Sequence, residues 1–272
     1  MSGKVRRGTR VGPAARAADS RAMAWAARVG LTARGVVWIL IGILAVLLAQ
    51  GSRAGNADQK GALEELLTQP FGLFLVILMA VGFACYALWR LSEAAFGVTG
   101  ESKGAGPRLQ SLARGVTYLV LTGTAVSALL GSRTSQSSQQ RSMVGQVMGH
   151  TGGRWLVALV GLVIVGVGVA LVIEGWRQSF MRRLRAVPAR LRRPVRELGR
   201  VGTIGRGAVF ALVGALIAYA AWTLDPNKAS GLDGALRTLL HEPFGTALAL
   251  IAALALLAFG IYGLAEARYR RV

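Results

Sequence analysis

The stretch Ala33-Arg34-Gly35-Val36-Val37-Trp38 recurs in this chain, and its recurrence decides the fold. The second copy is Ala113-Arg114-Gly115-Val116-Thr117-Tyr118, and the third is Gly205-Arg206-Gly207-Ala208-Val209-Phe210. Each copy reads Arg-Gly-x-x-aromatic and opens a long apolar run. Self-similarity at a regular spacing is the signature of a repeated structural unit. We therefore interpret the chain as three copies of one unit.

Six apolar runs predict a membrane protein. They occupy residues 35–49, 71–89, 115–131, 155–173, 207–224 and 244–265, and none contains Asp, Glu, Lys or Arg. Runs of about 17–25 apolar residues match the hydrocarbon thickness of a bilayer. A helix in a soluble core would show a polar face, and these runs show none. We predict an all-α polytopic membrane protein, with six transmembrane helices arranged as three two-helix repeats with pseudo-threefold symmetry.

The basic charge of the chain is unevenly distributed. Of the 32 Lys and Arg residues, 25 fall in alternate segments, namely residues 1–34, 90–114, 174–206 and 266–272. This alternation follows the positive-inside rule, so it predicts that both termini are cytoplasmic. The net charge of +20 is therefore a topology signal and does not indicate nucleic acid binding. The expected partners are the lipid bilayer and its anionic headgroups at the cytoplasmic face.

Composition and spacing divide the chain into five segments. Residues 1–27 are predicted to be a basic disordered arm, 28–97 the first repeat, and 108–177 the second repeat. Residues 178–199 are predicted to be a basic amphipathic linker on the cytoplasmic leaflet, interrupted by Pro188 and Pro194. Residues 200–270 form the third repeat. The first helix of each repeat is expected to begin near its motif arginine.

Each predicted outer segment contains one short apolar stripe. The stripes share the spacing i, i+1, i+4, i+5 and comprise Ala62, Leu63, Leu66 and Leu67; Met143, Val144, Val147 and Met148; and Ala235, Leu236, Leu239 and Leu240. This spacing predicts three short helices that either rest on the outer interface or plug the outer mouth of the bundle. Three outer acids, Asp58, Asp225 and Asp233, are expected to cap turns, and Asp233 stands where a helix N-cap is expected.

Three arginines and three glutamates recur at the predicted inner mouth. The distances Gly72 to Glu93, Gly153 to Glu174 and Gly245 to Glu266 are each 21 residues, about one bilayer thickness in a helix. Each glutamate would then lie at the inner end of its helix, close to Arg34, Arg114 or Arg206. An arginine at a helix N-terminus and a glutamate at a C-terminus both oppose the helix dipole, so pairing would offset both. We expect inner-mouth ion pairs, either structural or gating.

The remaining polar signals are weak. The two histidines, His150 and His241, lie in outer segments without a third metal-ligand motif, and no cofactor is expected. The single cysteine, Cys85, is expected to be a small packing residue. Small residues at Gly123, Ser127 and Gly131, and again at Gly207, Ala211, Gly214 and Ala218, favour tight helix packing.

The chain resembles a family of bacterial membrane proteins catalogued as domain of unknown function 1206, in which a two-helix unit is present three times. The resemblance rests on the motif Ala33-Arg34-Gly35-Val36-Val37 and on two further groups, Gln69-Pro70-Phe71-Gly72 and Glu242-Pro243-Phe244-Gly245. It extends over about residues 25–270. The second copy departs from the pattern, because Thr151-Gly152 replaces Pro-Phe. The resemblance implies a location in the bacterial inner membrane, and it implies no catalytic residues.

These observations favour a protein that is not an enzyme. The leading hypothesis is a scaffold or accessory membrane subunit that binds a membrane protein partner, since no charge lies inside any apolar run. The alternative is a small-solute or lipid transporter or channel, with a path along the repeat axis and Arg–Glu pairs at one mouth. A polar central cavity would favour the alternative.

Overall fold

The computed structural model describes residues 21–51, 56–96, 105–131, 136–184 and 187–270. Most of the predicted N-terminal arm therefore lies outside the described residues, as does the side chain of Glu93. The described chain is helical, with elements numbered here in chain order. They are α1 Arg21–Ala49, α2 Gln59–Leu67, α3 Gly72–Phe96, α4 Ala105–Leu129, α5 Gln136–Met148, α6 Gly153–Arg177, α7 Ala189–Thr223, α8 Leu232–Leu240 and α9 Gly245–Tyr269.

Six of these helices are long and apolar enough to cross a membrane, and they are α1, α3, α4, α6, α7 and α9. Their outward faces expose large apolar side chains, as lipid-facing helices do. The short helices α2, α5 and α8 each connect the two spanning helices of one repeat. The predicted fold is confirmed: the protein is a polytopic membrane protein of three two-helix repeats.

The first spanning helix of each repeat begins earlier than predicted. Helices α1, α4 and α7 begin at Arg21, Ala105 and Ala189, so the motif arginines lie more than two turns inside them. The expectation that these arginines stand at helix N-termini is therefore wrong, and the helix dipole does not explain their pairing. The glutamates do lie in the last turn of their helices, near the C-terminal residues Phe96, Arg177 and Tyr269.

The predicted linker at residues 178–199 is also different in the structure. It is not separate from the third repeat, because a 3-10 turn at Ser179–Arg183 is followed by α7, which includes Pro194, but residues 188–194 are exposed at the surface. Phe180, Leu184 and Val195 are buried against the bundle. A proline in the second turn of a helix removes only one hydrogen bond, and the burial of apolar side chains on either side offsets that loss.

The spanning helices form a ring in which neighbouring repeats pair. The most extensive contacts join α6 with α7, α1 with α9, and α3 with α4. Each of these pairs combines the second span of one repeat with the first span of the next, and the pair α1 and α9 joins the third repeat to the first. Inside the repeats, α7 packs on α9 and α1 touches α3, whereas α4 and α6 make at most marginal contact.

Glycines set the close approach at two of these three pairs. A Cβ added at Gly168 of α6 would lie 2.5 Å from the backbone nitrogen of Ala211 in α7, and one at Gly260 of α9 would lie 2.5 Å from that of Ile39 in α1. The predicted packing face on α7 is thus confirmed. The predicted face on α4 is wrong, because nothing lies within 4 Å of a Cβ at Gly123. Cys85 is exposed and is not a packing residue.

Helices α2, α5 and α8 meet at one end of the ring, and we call them together the plug. The prediction of one short helix between the two spans of each repeat is confirmed. Asp58 caps α2 by accepting from the backbone nitrogen of Gly61 at 2.9 Å. Asp233 is not an N-cap: it accepts from the backbone nitrogen of Ala57 at 2.9 Å, and so links the first and third outer segments. Its other carboxylate oxygen accepts from Arg237 at 2.8 Å.

The second repeat keeps the backbone of the others where its sequence departs. The residue before each second spanning helix adopts left-handed backbone, with φ of 62° at Phe71, 81° at Gly152 and 61° at Phe244. Glycine reaches this region without strain, whereas phenylalanine does not. Both phenylalanine side chains are exposed beyond four-fifths of their surface. The substitution at Gly152 therefore preserves the threefold plan in the backbone.

Candidate functional site

A cavity of about 360 Å³ lies on the repeat axis and is lined by all six spanning helices. The repeated motif faces it, because Arg34, Arg114 and Arg206 line it together with the aromatic residues four positions later. Those residues are Trp38, Tyr118 and Phe210. Gln59, at the start of α2, and Phe180, in the 3-10 turn, also contribute to the lining. The arginines mark what we call the arginine end of the bundle, opposite the plug.

Arg34 and Glu266 form an ion pair at the cavity. The Nη2 of Arg34 donates to Oε2 of Glu266 at 2.6 Å, across 232 residues of sequence. The other carboxylate oxygen accepts from Nη1 of Arg270 at 2.8 Å. Glu266 is only 4% exposed, so its charge depends on these two arginines. The pair joins the first repeat to the third.

Arg206 occupies the same repeat position as Arg34 and also lies over the ring of Phe259, but it lacks the ion pair that Arg34 makes with Glu266. Its guanidinium lies over the rings of Trp38, Phe210 and Phe259, with its carbon 5.0, 4.8 and 4.7 Å from the ring centroids. Its Nε is buried without a hydrogen-bond partner. Among the described side chains, no carboxylate lies within ion-pair distance of Arg206. Aromatic faces attract a cation but accept none of its directed hydrogen bonds.

The other predicted residues divide between the cavity and the surface. Arg114 and Glu174 line the cavity, while the side chain of Glu93 lies outside the described residues. His150 and His241 are exposed, and Nδ1 of His150 lies 2.8 Å from the carbonyl oxygen of Gln146. In the described part of the chain, no group of three His, Cys, Asp or Glu residues could hold a metal ion.

The described lining carries more positive than negative charge. Four arginines line it, Arg34, Arg114, Arg206 and Arg270, against the two carboxylates Glu174 and Glu266. In an apolar surrounding, an excess cation attracts anions far more strongly than it would in water. The cavity can therefore bind a negatively charged group between its arginines and its aromatic walls.

Sequence reasoning missed several lining residues. The charge alternation predicts Arg270 only as a topology charge, and the segment boundaries predict Phe180 in the basic linker. Two aromatic residues, Tyr86 and Phe259, each stand seven positions before a repeat glutamate and both line the cavity. That common spacing is a signal that could have found them. The second repeat has Val167 at this position, which lines the cavity too but leaves 47% of its surface exposed.

A titratable group also lies in the plug. Asp58 is 1% exposed, and burial raises the pKa of its carboxyl group to about 6. The hydrogen bond from Gly61 lowers this pKa, and the nearby charge of Asp233 raises it. The plug end thus holds buried carboxyl groups, whereas the arginine end holds an excess of guanidinium groups.

These features define a class of protein: a multi-pass helical membrane protein whose three repeats surround a basic, aromatic-lined cavity. The chain belongs to the family described as Domain of Unknown Function (DUF1206), whose model matches residues 29–97, 109–178 and 201–270. It is also 28% identical over 253 residues to the uncharacterized protein YxxB of Bacillus subtilis (strain 168), covering 90% of each chain. No solved structure is significantly similar to this chain.

Proposed function

We propose that the protein is a non-enzymatic membrane protein that binds a small anionic solute or an anionic lipid in its central cavity. The observation that carries this proposal is the excess of arginines in a cavity lined by all six spanning helices. A scaffold needs no such cavity, since tight packing of the helices would remove it. A channel or transporter with a path along the repeat axis follows if the plug can open.

Arg206 is the residue that most directly implies an anionic ligand. The Nε of Arg206 is buried, and no described carboxylate forms an ion pair with this arginine, which is unfavourable unless another negative group reaches it. A carboxylate or phosphate in the cavity would accept charge-assisted hydrogen bonds from its free N–H groups. The rings of Trp38, Phe210 and Phe259 would then hold the guanidinium plane in place for the ligand.

The proposed orientation places the arginine end at the cytoplasmic face of a bacterial inner membrane. The alternation of basic segments supports this orientation, with both termini inside and the plug outside. Reporter fusions after Asn56, Ser137 and Asn227 are then expected to behave as exported. A cytoplasmic signal at any of these three positions would contradict the proposed topology.

Native mass spectrometry of the purified protein tests the binding proposal. We expect a retained anionic compound on the wild-type protein that is lost from Arg206→Gln. The matched control is Arg196→Gln, because Arg196 is exposed and lies far along α7 from the cavity lining. Equal retention by all three proteins would mean that the compound does not occupy the cavity, and the proposal would fail.

A scaffold or accessory subunit is the second candidate function. It is favoured by the exposed apolar faces of α4 and α6, which make at most marginal contact with each other and could receive a helix of a partner protein. Stoichiometric co-purification of one defined membrane protein, lost when these faces are altered, would support this second candidate.

A further inference from the structure

We infer that the ligand is an anionic lipid, which enters the cavity sideways from the bilayer between α4 and α6. This inference rests on the proposed function and adds the chemical class of the ligand and its route. The lipid headgroup would lie at Arg206, and its acyl chain would lie along the boundary between the two helices.

The boundary between α4 and α6 is the least closely packed boundary among the described spanning helices. Each of the other five neighbouring pairs of spanning helices is in contact, whereas α4 and α6 touch at most marginally. Both helices nevertheless line the cavity. Thr117 of α4 and Val167 of α6 line the cavity and are also exposed at the surface. The cavity therefore faces the surroundings of the protein at this boundary, and in a membrane those surroundings are lipid.

Val167 explains why the wall is incomplete on this side. The other two repeats place an aromatic ring at the equivalent position, seven residues before the glutamate, with Tyr86 and Phe259. A valine is much smaller than either ring and leaves the boundary open. The opening thus results from a smaller side chain at one repeat position.

The surface beside the opening is apolar on α6, whereas Val120 on α4 also borders a smaller cavity with a mostly polar lining. Val160 and Val163 lie on the same face of α6 as Val167, with spacings of three and four residues, and they are 46% and 57% exposed. On α4, Val120 is 59% exposed and lies one turn from Thr117. This apolar track leads away from the arginine end toward the plug, for a distance of about 10 Å along α6. It fits an acyl chain and would not attract a water-soluble ion.

The headgroup site follows from charge complementarity. Arg206 lies inside the cavity, and its guanidinium has aromatic neighbours but no carboxylate among the described side chains. A lipid phosphate there would accept hydrogen bonds from the guanidinium while its chain stays in the apolar track. A zwitterionic headgroup would add a second cation to a cavity that already has an excess of cations, so an anionic headgroup fits better.

The test uses delipidated full-length protein in a neutral detergent, titrated with palmitoyl-oleoyl phosphatidylglycerol and observed by native mass spectrometry. Phosphatidylcholine with the same chains is the headgroup control. The variant Val167→Trp fills the opening. Val169→Trp is its matched control, because Val169 is 48% exposed on the other side of the same helix. We expect about tenfold preference for phosphatidylglycerol in wild type and Val169→Trp, about tenfold weaker binding in Val167→Trp, and no headgroup preference in Arg206→Gln.

The outcomes separate the route from the binding site. Unchanged phosphatidylglycerol binding by Val167→Trp, together with loss in Arg206→Gln, would overturn the lateral route and leave the cavity proposal intact. Unchanged binding by Arg206→Gln would overturn both. If Val167→Trp does not fold, phosphatidylglycerol with a photoreactive acyl chain gives a second readout on the wild-type protein. Labelling of α4 and α6 is expected, and labelling confined to other helices, or a partner protein seated at this boundary, would overturn the inference.

Discussion

Helix α6 has two neighbours in the ring, and its boundaries with them are opposite in character. Against α7 it is closed by glycines, since a Cβ at Gly168 or Gly161 would meet the backbone of α7 within 2.6 Å. Against α4 it makes at most marginal contact, and the exposed Val167 lies there. The closed boundary joins two repeats, whereas the open one lies inside the middle repeat.

The difference shows that similar repeat sequences do not close every boundary between neighbouring helices to the same extent. In lipid, the hydrophobic effect does not drive helices together, because the lipid tails are as apolar as the side chains. Helix association therefore depends on the close approach and packing of the backbones. Glycines supply that approach between α6 and α7 and between α1 and α9. Where they are missing, one smaller side chain in the wall is enough to leave an opening.

The largest expected effect is at the boundary of α1 and α9, which is closed by both glycines and an ion pair. Glu266→Gln leaves Arg34 and Arg270 without a full negative charge between them. Breaking a buried pair costs about 3–5 kcal/mol, so we expect a clear fall in the thermal midpoint in detergent. Glu197→Gln is the control, because the pair of Arg196 and Glu197 is half exposed and the change is expected to cost less than about 1 kcal/mol. Equal midpoints for both variants would contradict the prediction.

The next effect concerns α2, which contacts α4 and so supports the open side of the ring. Asp58 has a pKa of about 6 in the folded protein against 3.8 normally, so the folded state binds its proton more tightly. Its protonation therefore stabilises the fold fully below about pH 4, and this contribution of up to about 3 kcal/mol is lost as pH rises through 6.

Asp58→Asn tests this dependence, since asparagine keeps the cap without a charge. We expect its stability to vary less between pH 4 and 7 than that of wild type, and to exceed it at pH 7. Asp225→Asn is the matched control, because Asp225 also caps a turn but is more exposed. A wild-type profile in Asp58→Asn would refute the assigned titration. The measurement is chemical or thermal unfolding in detergent across this pH range.

A smaller effect tests the closed boundary of α6 directly. In Gly168→Ala the new methyl group would lie 2.5 Å from the nitrogen of Ala211 and 2.6 Å from the carbonyl oxygen of Gly207. Neither backbone atom can move without separating the helices, and overpacking of this kind costs about 1–3 kcal/mol. A thermal midpoint equal to that of wild type would show that α6 and α7 are not in such close contact.

The smallest effect has the opposite sign and lies on α4. Gly123→Ala adds a methyl group into open space, so helix propensity decides the outcome. We expect stabilisation of about 0.5–1 kcal/mol, measured in the same thermal assay. Destabilisation by Gly123→Ala would mean that another element packs closely on α4 at Gly123, and the open boundary would not exist as described.

The two boundaries of α6 also show which parts of the fold the sequence predicts. The six spans, the three short helices and the repeat positions of the arginines and glutamates follow from apolar runs and spacing. The partners do not, because α4 and α7 both carry small residues at helical spacing, yet Gly207 and Gly214 of α7 meet the backbone of a neighbouring helix and Gly123 of α4 does not. Spacing along one helix contains no information on which neighbour reaches it.

The sequence likewise predicts only part of the candidate site. The spacing of Arg34 and Glu266 within their repeats placed both at one end of the bundle, but their pairing across the ring depends on contacts between α1 and α9. The predicted helix starts are wrong because the polar turns before the apolar runs are also helical. The helices therefore begin at Arg21 and Ala189. The role of Tyr86 and Phe259 in the lining can be recognised only once the structure shows that the glutamates lie at a cavity.

The closure of the ring by the first and third repeats is tested most directly by a double-mutant cycle. The cycle combines Arg34→Gln and Glu266→Gln and measures the free energy of unfolding of both single variants and the double variant. Direct contact predicts a coupling energy of at least about 1 kcal/mol, with a smaller loss for Arg34→Gln because Arg270 still pairs with Glu266. Additive losses, with coupling below about 0.3 kcal/mol, would contradict the closed ring.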